Sequence, residues 1–377
     1  MMPLMSFRRC LLSFLLLLPA LFACSSPEKK HFSETNWALQ VEATQAQDLY
    51  APHEKDGRFF APWMEMGDKS FLDVLGWKLF SSTDYTDRER AFLPRVLPDT
   101  ASRIEQTPGD FILWIGHNTF LIRINNAYWI TDPIFSKRAL LLARLTPPAL
   151  TLDQLNHLIT QGQTKEVNIL ISHNHYDHLD RSSVKGLPRD AKVFVPKGLK
   201  ELVMNMNKPL VTEMDWWETI ELGKGTRLIC LPAQHWSLRI GQGRNRSLWA
   251  SYLLITPETT FYFGGDSGYF KGFREIGQKF PKIDYTFMAT TAYHPRWFMQ
   301  YQHMNITEAI KGFEDLGAKY FIPTQWGTFH LGSEPAGYPG LDLARHIKQK
   351  QLNPDRFKIL DIGQILPIEP PGLGKIR

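Results

Sequence analysis

Short apolar runs separated by polar breaks dominate the chain from residue 110 onward. Runs of roughly four to eight apolar and β-branched residues, bounded by turn-forming residues, predict buried strands. The pair Asn125-Asn126 stands between two such runs and predicts a tight hairpin turn. The predicted strands are residues 111–115, 119–124, 128–131, 167–171, 192–195, 226–231, 248–255, 259–263 and 319–322.

One helix has clear boundary signals late in the chain. Asn305, followed three residues later by Glu308, matches a capping box and predicts the start of this helix. Gly317 predicts its end directly after Leu316. Strands mixed with late helices, and polar residues at strand ends, indicate a layered α/β fold.

The distribution of apolar residues suggests how the chain is organised. Residues 110–370 contain the predicted strands and should form the main domain. Residues 57–109 contain aromatic and apolar clusters and are expected to pack onto that domain as an N-terminal segment. The stretch 24–56 is polar and mixed, with Ser26-Pro27-Glu28-Lys29-Lys30 typical of a linker.

The strongest chemical signal is a cluster of histidines and aspartates in residues 172–180, just after the predicted strand 167–171. The segment reads Ser172-His-Asn-His-Tyr-Asp-His-Leu-Asp180. Imidazole and carboxylate are ligands of zinc and, with less preference, of iron or manganese. In an extended segment residues i and i+2 face the same way, so His173 and His175 can hold one ion. Asp177 and His178 can face a second ion, although a solvated polar loop is the simpler alternative.

Three later positions end predicted strands in the same way and complete a candidate ligand set. They are His235, Asp266 after the pair Gly264-Gly265, and the segment 324–328. Taken singly, a His or Asp at a strand end is more often a structural polar residue. Together with the histidine-rich loop they form a coherent set of metal ligands.

The N-terminus has the features of an export signal. Arg8 and Arg9 precede an apolar run that ends at Ala23-Cys24-Ser25-Ser26. A basic start, a short apolar run and a small residue before the cut are typical of a signal peptide, here residues 1–23. Cysteine directly after the cut matches a bacterial lipoprotein, although Phe22 departs from the pattern. We therefore predict acylation of Cys24 and attachment to a membrane surface, with an uncleaved anchor or an ordinary secretory signal as alternatives.

Cysteine content and charge narrow the possible classes. After loss of Cys10 and acylation of Cys24, only Cys230 remains, so no disulfide framework is possible. Loss of Arg8 and Arg9 lowers the formal charge from +5 to +3, and no stripe of basic residues is visible. This mild charge permits attraction to anionic lipids but does not favour nucleic acid as a partner. Serine after Cys24 resembles the sorting signal for the outer membrane, facing the periplasm.

The His-x-His-x-Asp-His loop with a later His and Asp resembles the metallo-β-lactamase superfamily. Longer motifs are similar to the N-acylphosphatidylethanolamine-hydrolysing phospholipase D family, over about residues 57–331. The resemblance implies an αββα sandwich with a dinuclear zinc site at one edge of the paired sheets. The similar motifs include Trp114-Ile-Gly-His117, Thr131-Asp-Pro-Ile-Phe135, Asp215-Trp-Trp-Glu218, Gly265-Asp-Ser-Gly-Tyr269, Pro295-Arg-Trp-Phe-Met299 and Trp326-Gly-Thr-Phe329.

The resemblance also implies a role for each ligand. His173, His175 and His235 would bind the first zinc, Asp177 and His178 the second, and Asp266 would bridge the two ions. The final ligand of the family is a histidine, where this chain has Gln325. A neutral amide oxygen is a weaker zinc ligand than imidazole. Three outcomes are open: coordination through Gln325, replacement by His330, or weak filling of the second site.

Further positions have implied roles around the metals. Asp132 matches an aspartate behind the metal loop and could orient a ligand. Tyr176 and Gln302 match positions near the phosphate site, and His303 adjoins them. The sequence identifies no proton donor to the leaving group, and a metal-bound water and His303 are both candidates. His117 is interpreted as a structural histidine. Five aromatic residues could line an acyl-chain groove, although each is more often a core residue: Trp216, Trp217, Trp236, Trp297 and Phe298.

The sequence therefore predicts a zinc phosphodiesterase acting on a membrane phospholipid. With N-acylphosphatidylethanolamine as the substrate, the products would be phosphatidic acid and an N-acylethanolamine, and Asp177, Asp266 and His303 would be the catalytic residues. A metal-dependent lactonase or esterase of the same fold is one alternative. A non-catalytic envelope lipoprotein is another, supported only by Gln325.

Overall fold

The computed structural model of the chain describes residues 32–67, 69, 73, 75, 77 and 84–368. The predicted signal peptide, Cys24, the linker up to residue 31 and the end of the predicted main domain lie outside these residues. Among the helices that are described, none is both long and apolar enough to cross a membrane.

Two large sheets form the centre of the molecule, and seven strands of the described chain make up sheet 1. Numbered along the chain and given in their order across the sheet, these strands are β10 (Val211–Met214), β9 (Lys192–Pro196), β8 (Glu166–Leu170), β5 (Ala127–Thr131), β4 (Thr119–Ile124), β3 (Phe111–Gly116) and β19 (Ile365–Pro367). The four strands β5, β8, β9 and β10 run parallel, and β3, β4 and β19 complete the sheet with antiparallel pairing.

Sheet 2 contains six strands within the described residues. In their order across the sheet, these strands are β11 (Thr219–Gly223), β12 (Thr226–Leu231), β15 (Ser251–Ile255), β16 (Thr260–Phe263), β17 (Tyr285–Ala289) and β18 (Tyr320–Thr324). Strands β16, β17 and β18 run parallel to one another, and the remaining pairs are antiparallel. Three two-stranded hairpins are β1–β2 (Glu54–Lys55 and Arg58–Phe59), β6–β7 (Arg138–Ala139 and Leu142–Ala143) and β13–β14 (Leu238–Arg239 and Gly243–Arg244).

Helices cover the outer face of each sheet. The described helices are α1 (Glu34–Ala43), α2 (Asp87–Ala91), α3 (Thr100–Gln106), α4 (Leu152–Gln161), α5 (Arg181–Gly186), α6 (Lys200–Met204), α7 (Gly272–Lys279), α8 (Arg296–Met299), α9 (Ile306–Asp315) and α10 (Tyr338–Gln349). Helices α3 to α6 contribute side chains to the apolar cluster on sheet 1, and α7, α9 and α10 contribute to the cluster that contains sheet 2. Short 3₁₀ helices lie at Ala46–Tyr50 and Pro354–Arg356.

Strand β3 shows why two cores form. Its side chains alternate, as the period of a strand requires. Phe111 and Leu113 point into the cluster with helices α3 to α6, whereas Ile112 and Trp114 point into the cluster shared with sheet 2. A strand buried on both faces reads as a continuous apolar run, which is why its position was predictable.

Most predicted elements are confirmed. Asn125 and Asn126 both have positive φ (51° and 61°), as the predicted tight turn requires. Asn305 caps α9 in a full capping box with Glu308. The strand predicted at 248–255 is wrong in its first three residues, because the backbone N–H of Ala250 is bonded to Ser172 O (2.9 Å) and not to a neighbouring strand.

The N-terminal helix α1 is held against the end of the molecule that carries α8 and α9. The Arg296 guanidinium contacts the carboxylates of Glu34 (2.8 Å) and Glu308 (2.7 Å). The indole of Trp37 donates to Glu308 as well (2.9 Å). Further along, Trp63 donates to Gln234 (3.0 Å) in the same buried cluster as both sheets. The N-terminal region thus packs on the sheets around a buried ion pair.

Candidate metal centre

The polar loops that follow four strands meet at one edge of the two sheets. The loop after β8 carries residues 172–180, and the loop after β12 carries His235. Asp266 follows β16 and Gln325 follows β18. Gly265 (φ 59°) lets the chain pass close to Ser172, because a Cβ at this position would lie 2.7 Å from the Ser172 Cβ. The fold therefore brings together side chains that are up to about 150 residues apart.

The first cluster consists of His173, His175, His235 and Asp266, whose ligand atoms all lie within 4.8 Å of one another. The Nδ1 atom of His175 is 2.8 Å from His173 Nε2 and 3.2 Å from His235 Nε2. The Oδ2 atom of Asp266 is 3.8 Å and 3.5 Å from the same Nε2 atoms. Three imidazole nitrogens and a carboxylate thus face a common centre.

The electrostatics of the first cluster suit a metal ion. Burial lowers the pKa of His175 to about 4, and it lowers the pKa values of His173 and His235 well below the usual value. The three rings are therefore neutral at pH 7, which is the state that binds a metal. His235 Nδ1 lies 3.2 Å from the Gln302 carbonyl, so a proton on Nδ1 leaves the Nε2 lone pair facing the centre.

A second cluster adjoins the first and contains Asp177, His178 and also His117. His117 Nε2 lies 3.1 Å from Asp177 Oδ2, and His178 Nε2 lies 3.4 Å from the same oxygen. His178 Nε2 is also 3.3 Å from Asp266 Oδ1. Asp266 therefore stands between the clusters, which is the position of a bridging ligand. His117 joins them although the sequence indicated only a structural role.

The second cluster requires a positive charge. Burial opposes a charge on His178, but the carboxylates of Asp266, Asp177 and Asp132 outweigh burial and raise the pKa of this imidazole well above its usual value. Burial likewise opposes ionisation of Asp177, yet His178 and His117 hold its pKa well below the usual value. Because Nε2 of His178 has no hydrogen-bond partner, a divalent cation fits this place as well as a proton does.

Asp132, which has no solvent exposure, organises the back of the metal loop. One carboxylate oxygen accepts the backbone N–H of Ser172 (2.7 Å). The other contacts Ser172 Oγ (2.6 Å), Asn118 Nδ2 (2.7 Å) and His178 Nδ1 (2.7 Å). A carboxylate at Nδ1 fixes the orientation of the ring and directs Nε2 at the second cluster.

Gln325 is fully buried within the site, in a left-handed backbone conformation (φ 72°). Its side-chain N–H donates to Asp266 Oδ1, while its Oε1 has no hydrogen-bond partner. Rotating the amide by a half-turn would exchange these atoms and offer the oxygen to a cation. His330 is exposed. Gln325, bonded to Asp266, and His117, beside Asp177, therefore line the second cluster, whereas His330 belongs to neither cluster.

Replacing Gln325 with histidine should strengthen metal binding in the second cluster. An imidazole nitrogen donates more strongly to zinc than an amide oxygen, and we expect an affinity gain of about tenfold, equivalent to about 1.4 kcal/mol. Titration of zinc into the metal-free protein, with Gln349→His on the exposed side of α10 as control, measures this change. Equal affinity of both sites in the unmodified protein would contradict the expectation.

The three residues implied at the phosphate site lie around this centre in different states. Tyr176 is half-buried, with its ring beneath Arg239 (4.2 Å), and its hydroxyl accepts the N–H of Ile240 (3.3 Å). Gln302 accepts from the Lys69 ammonium through Oε1. The His303 ring lies 5.4 Å from that of His235, and its Nδ1 has no hydrogen-bond partner.

Lys69 is a cation that sequence inspection did not single out. Burial and the nearby Arg244 guanidinium together lower its pKa to about 7, although Asp73 opposes them. Its ammonium also lies over the Phe298 ring (4.3 Å). No local pattern marks this lysine, because its partners are more than 200 residues away in sequence.

The proposed aromatic groove is mostly core. Trp216 packs among Trp63 and Trp249, and Trp217 stacks on Tyr50 (4.6 Å). Trp297 and Phe298 pack with Trp77 and Met299 in a separate small cluster. Trp236 differs, because it is half-buried against the His175 ring (4.8 Å). Asp180 in the metal loop caps α5 instead of facing the metals.

Comparisons with known proteins agree with this arrangement. Residues 129–326 match the model of the β-lactamase superfamily domain. The chain is 32% identical over 285 residues to N-acyl-phosphatidylethanolamine-hydrolyzing phospholipase D 1 of Caenorhabditis elegans, covering 71% of this chain and 78% of that protein. It is also 32% identical to an uncharacterized protein of Mycobacterium tuberculosis, covering 80% of each.

A solved structure supports the fold. A possible metal-dependent hydrolase from Veillonella parvula superposes with a TM-score of 0.55 at 15% identity, covering 70% of this chain and 100% of that chain. Such a likeness concerns the fold, whereas the matched family model and the relatives above concern ancestry. The chain is a metal-dependent hydrolase that belongs to the metallo-β-lactamase superfamily and resembles the N-acylphosphatidylethanolamine-hydrolysing phospholipases D.

Proposed function

We propose that the protein is a zinc-dependent phosphodiesterase that cleaves a membrane phospholipid. The cleavage would be of the phospholipase D type and would convert N-acylphosphatidylethanolamine to phosphatidic acid and an N-acylethanolamine. One observation carries this proposal: the two adjacent ligand clusters, joined by Asp266, occur in a chain similar over most of its length to such a phospholipase.

Each of the two clusters would hold one metal ion. His173, His175 and His235 would hold one zinc, Asp177 and His178 the other, and Asp266 both. When bound, paired zinc ions supply a nucleophile from water at neutral pH and neutralise charge on a phosphate. A Gln325 carbonyl oxygen and His117 would complete the second ligand set.

Side chains beside the two clusters would bind the phosphate of the substrate and transfer protons. Burial lowers the pKa of His303, so its imidazole is neutral at pH 7. The Lys69 ammonium, with a pKa of about 7, can both attract the phosphate and release a proton near neutrality. Tyr176 and Gln302 would position the phosphate between them. Lys69 is therefore a second candidate, beside His303, for protonating the departing alkoxide.

The experiment measures metal content and hydrolysis on the same purified protein. N-acylphosphatidylethanolamine, other phospholipids, a soluble phosphodiester and a lactone are offered in parallel. We expect about two zinc ions per chain and cleavage of the phosphodiesters only. Lactone cleavage without phosphodiester cleavage would favour the lactonase alternative. Metal-loaded protein without either activity would favour a non-catalytic envelope protein.

We also propose that the chain is a lipoprotein of the outer membrane facing the periplasm. Arg8, Arg9, the apolar run and Cys24 support removal of residues 1–23 and acylation of Cys24. Mass spectrometry of the N-terminus should find an acylated Cys24 as the first residue. A chain that begins elsewhere, or an unmodified Cys24, would rule out the lipoprotein assignment.

A further inference from the structure

Two hairpins beside the metal centre carry strongly exposed apolar side chains. In the β6–β7 hairpin, Leu141 is 81% exposed and Leu140 is 52% exposed. In the β13–β14 hairpin, Ile240 is 81% exposed and Leu238 is 42% exposed. Such exposure is costly in water, and exposed apolar groups rimmed by polar residues mark interaction sites. We propose that these tips, here called the docking face, insert into an anionic phospholipid bilayer.

Both hairpins are bonded to the loop that carries the metal ligands. The β13–β14 hairpin donates from Leu238 N to Asn174 Oδ1 (2.9 Å) and from Ile240 N to Tyr176 Oη (3.3 Å). At the start of β6–β7, Ser136 Oγ donates to Asp180 Oδ2 (2.6 Å). The two tips therefore emerge at the same edge of the sheets as the metal centre, on either end of the metal loop.

The residues directly after the β6–β7 hairpin contact the loop that carries Gln325. Leu145, itself 49% exposed, donates its backbone N–H to Thr328 O (2.8 Å). Thr146 Oγ1 donates to Gly327 O (2.9 Å). An apolar anchor in this hairpin would thus hold the metal centre directly at the surface into which it inserts.

The charge around the tips selects the kind of surface. Residues 133–152 contain no acidic side chain; Lys137 and Arg138 are exposed, whereas Arg144 points inward and donates to the carbonyl oxygens of Ile134 and Ser136. Residues 236–256 likewise contain no acidic side chain; Arg246 is exposed and Arg244 is half-buried, whereas Arg239 is buried and donates to the carbonyl oxygens of Asn174 and Leu179. The whole chain has 38 acidic residues, so their absence from both hairpin segments is a local feature. Apolar tips with basic residues behind them complement anionic lipid headgroups.

This inference deepens the proposed function and rests on it for the identity of the substrate. A phospholipid that is to be cleaved must bring its phosphate from the bilayer surface to the metals. Apolar tips at both ends of the metal loop would keep that loop facing the headgroups. Insertion into a membrane therefore explains why the tips lie beside the active site. A surface that only bound another protein would have no need to lie there.

Vesicle flotation tests the docking face without any need for hydrolysis. The full chain carries Cys24→Ser, so that no acyl chain contributes to binding. We compare it with the same chain carrying Leu141→Ser and Ile240→Ser. The matched control carries Met204→Ser and Leu210→Ser, which alter exposed apolar residues beside the start of β10, at the opposite edge of sheet 1.

The docking-face variant should partition onto vesicles containing phosphatidylglycerol at least about tenfold less than the unmodified chain. The control should stay within about twofold of the unmodified chain. Binding should also weaken as salt is raised, or when the vesicles contain only phosphatidylcholine, because the basic residues contribute. Hydrolysis of vesicle phospholipid should fall in parallel, whereas hydrolysis of a soluble phosphodiester should be unchanged.

Three results would overturn the inference. The first is unchanged flotation of the docking-face variant, and the second is an equal loss of flotation in the control variant. The third is a docking-face variant that no longer self-associates but binds vesicles as well as the unmodified chain. The last result would identify the face as a contact between two copies of the chain. Flotation as expected without any phosphodiester hydrolysis would instead refute the proposed function and leave the docking face standing.

Discussion

Replacing His235 with alanine is expected to remove one zinc ion per chain and to lower hydrolysis by about a thousandfold or more. His235 comes from the loop after β12 and is the imidazole of the first cluster that the histidine-rich loop does not supply. Its loss leaves two imidazoles and Asp266 for the first ion. A metal ion supplies several kcal/mol of transition-state stabilisation, and about 4 kcal/mol corresponds to a thousandfold in rate.

The measurement combines metal analysis, steady-state kinetics and thermal unfolding of the variant. His157→Ala is the matched control, because His157 is exposed on α4, a helix that packs on sheet 1 and supplies no ligand of either cluster. The control should keep full metal and full activity. If His235→Ala kept near-native activity with full metal content, the assignment of the first cluster would be wrong.

Replacing Asp132 with alanine should weaken both the fold and the second metal site. The side chains of Asp132 and His178 are both fully buried and lie 2.7 Å apart. Removing one partner of a buried ion pair costs about 3–5 kcal/mol, because the other is left without compensation. The Ser172 N–H and the Asn118 amide would lose their acceptor as well. Loss of a group that orients a ligand typically lowers metal affinity by about 10–100-fold.

Denaturant unfolding of the metal-free protein measures the first effect, and zinc titration measures the second. Asp361→Ala is a suitable control, since Asp361 pairs with Arg95 at the surface and should contribute about 1 kcal/mol or less. Asp132→Asn should retain more stability than Asp132→Ala. An alanine variant with unchanged unfolding energy and unchanged zinc affinity would show that Asp132 is only a turn residue.

The sequence predicts strands best where both faces are buried, because continuous apolar runs mark them. It also indicates which strand ends carry His173, His175, His235 and Asp266, since polar residues directly follow those runs. The hairpins β6–β7 and β13–β14 were missed, because strands of two residues have no periodicity. Strand β17 also escapes prediction, although Pro281 and Asp284 precede it.

The surroundings of the metals are harder to predict than the ligands themselves. His117 lies in a tight turn after β3, and nothing local places it 3.1 Å from Asp177, 60 residues later. Its position results from the strand order of sheet 1, in which β5 and β4 lie between β8 and β3, and from the contact between its carbonyl and Gln325 N (3.0 Å). Lys69 presents the same difficulty. Both are placed by long-range packing, for which a single sequence contains no local signal.

The clamping of α1 by Arg296 limits how the protein could lie on a membrane. With an acyl chain on Cys24, only the ten residues up to Glu34 would separate the lipid from the folded body. Even fully extended, ten residues span at most about 35 Å. A folded body of this size has a diameter of roughly 50 Å. The linker would thus be shorter than the diameter of the folded domain. The enzyme could therefore not rotate freely on the membrane and would present a restricted set of faces to the bilayer.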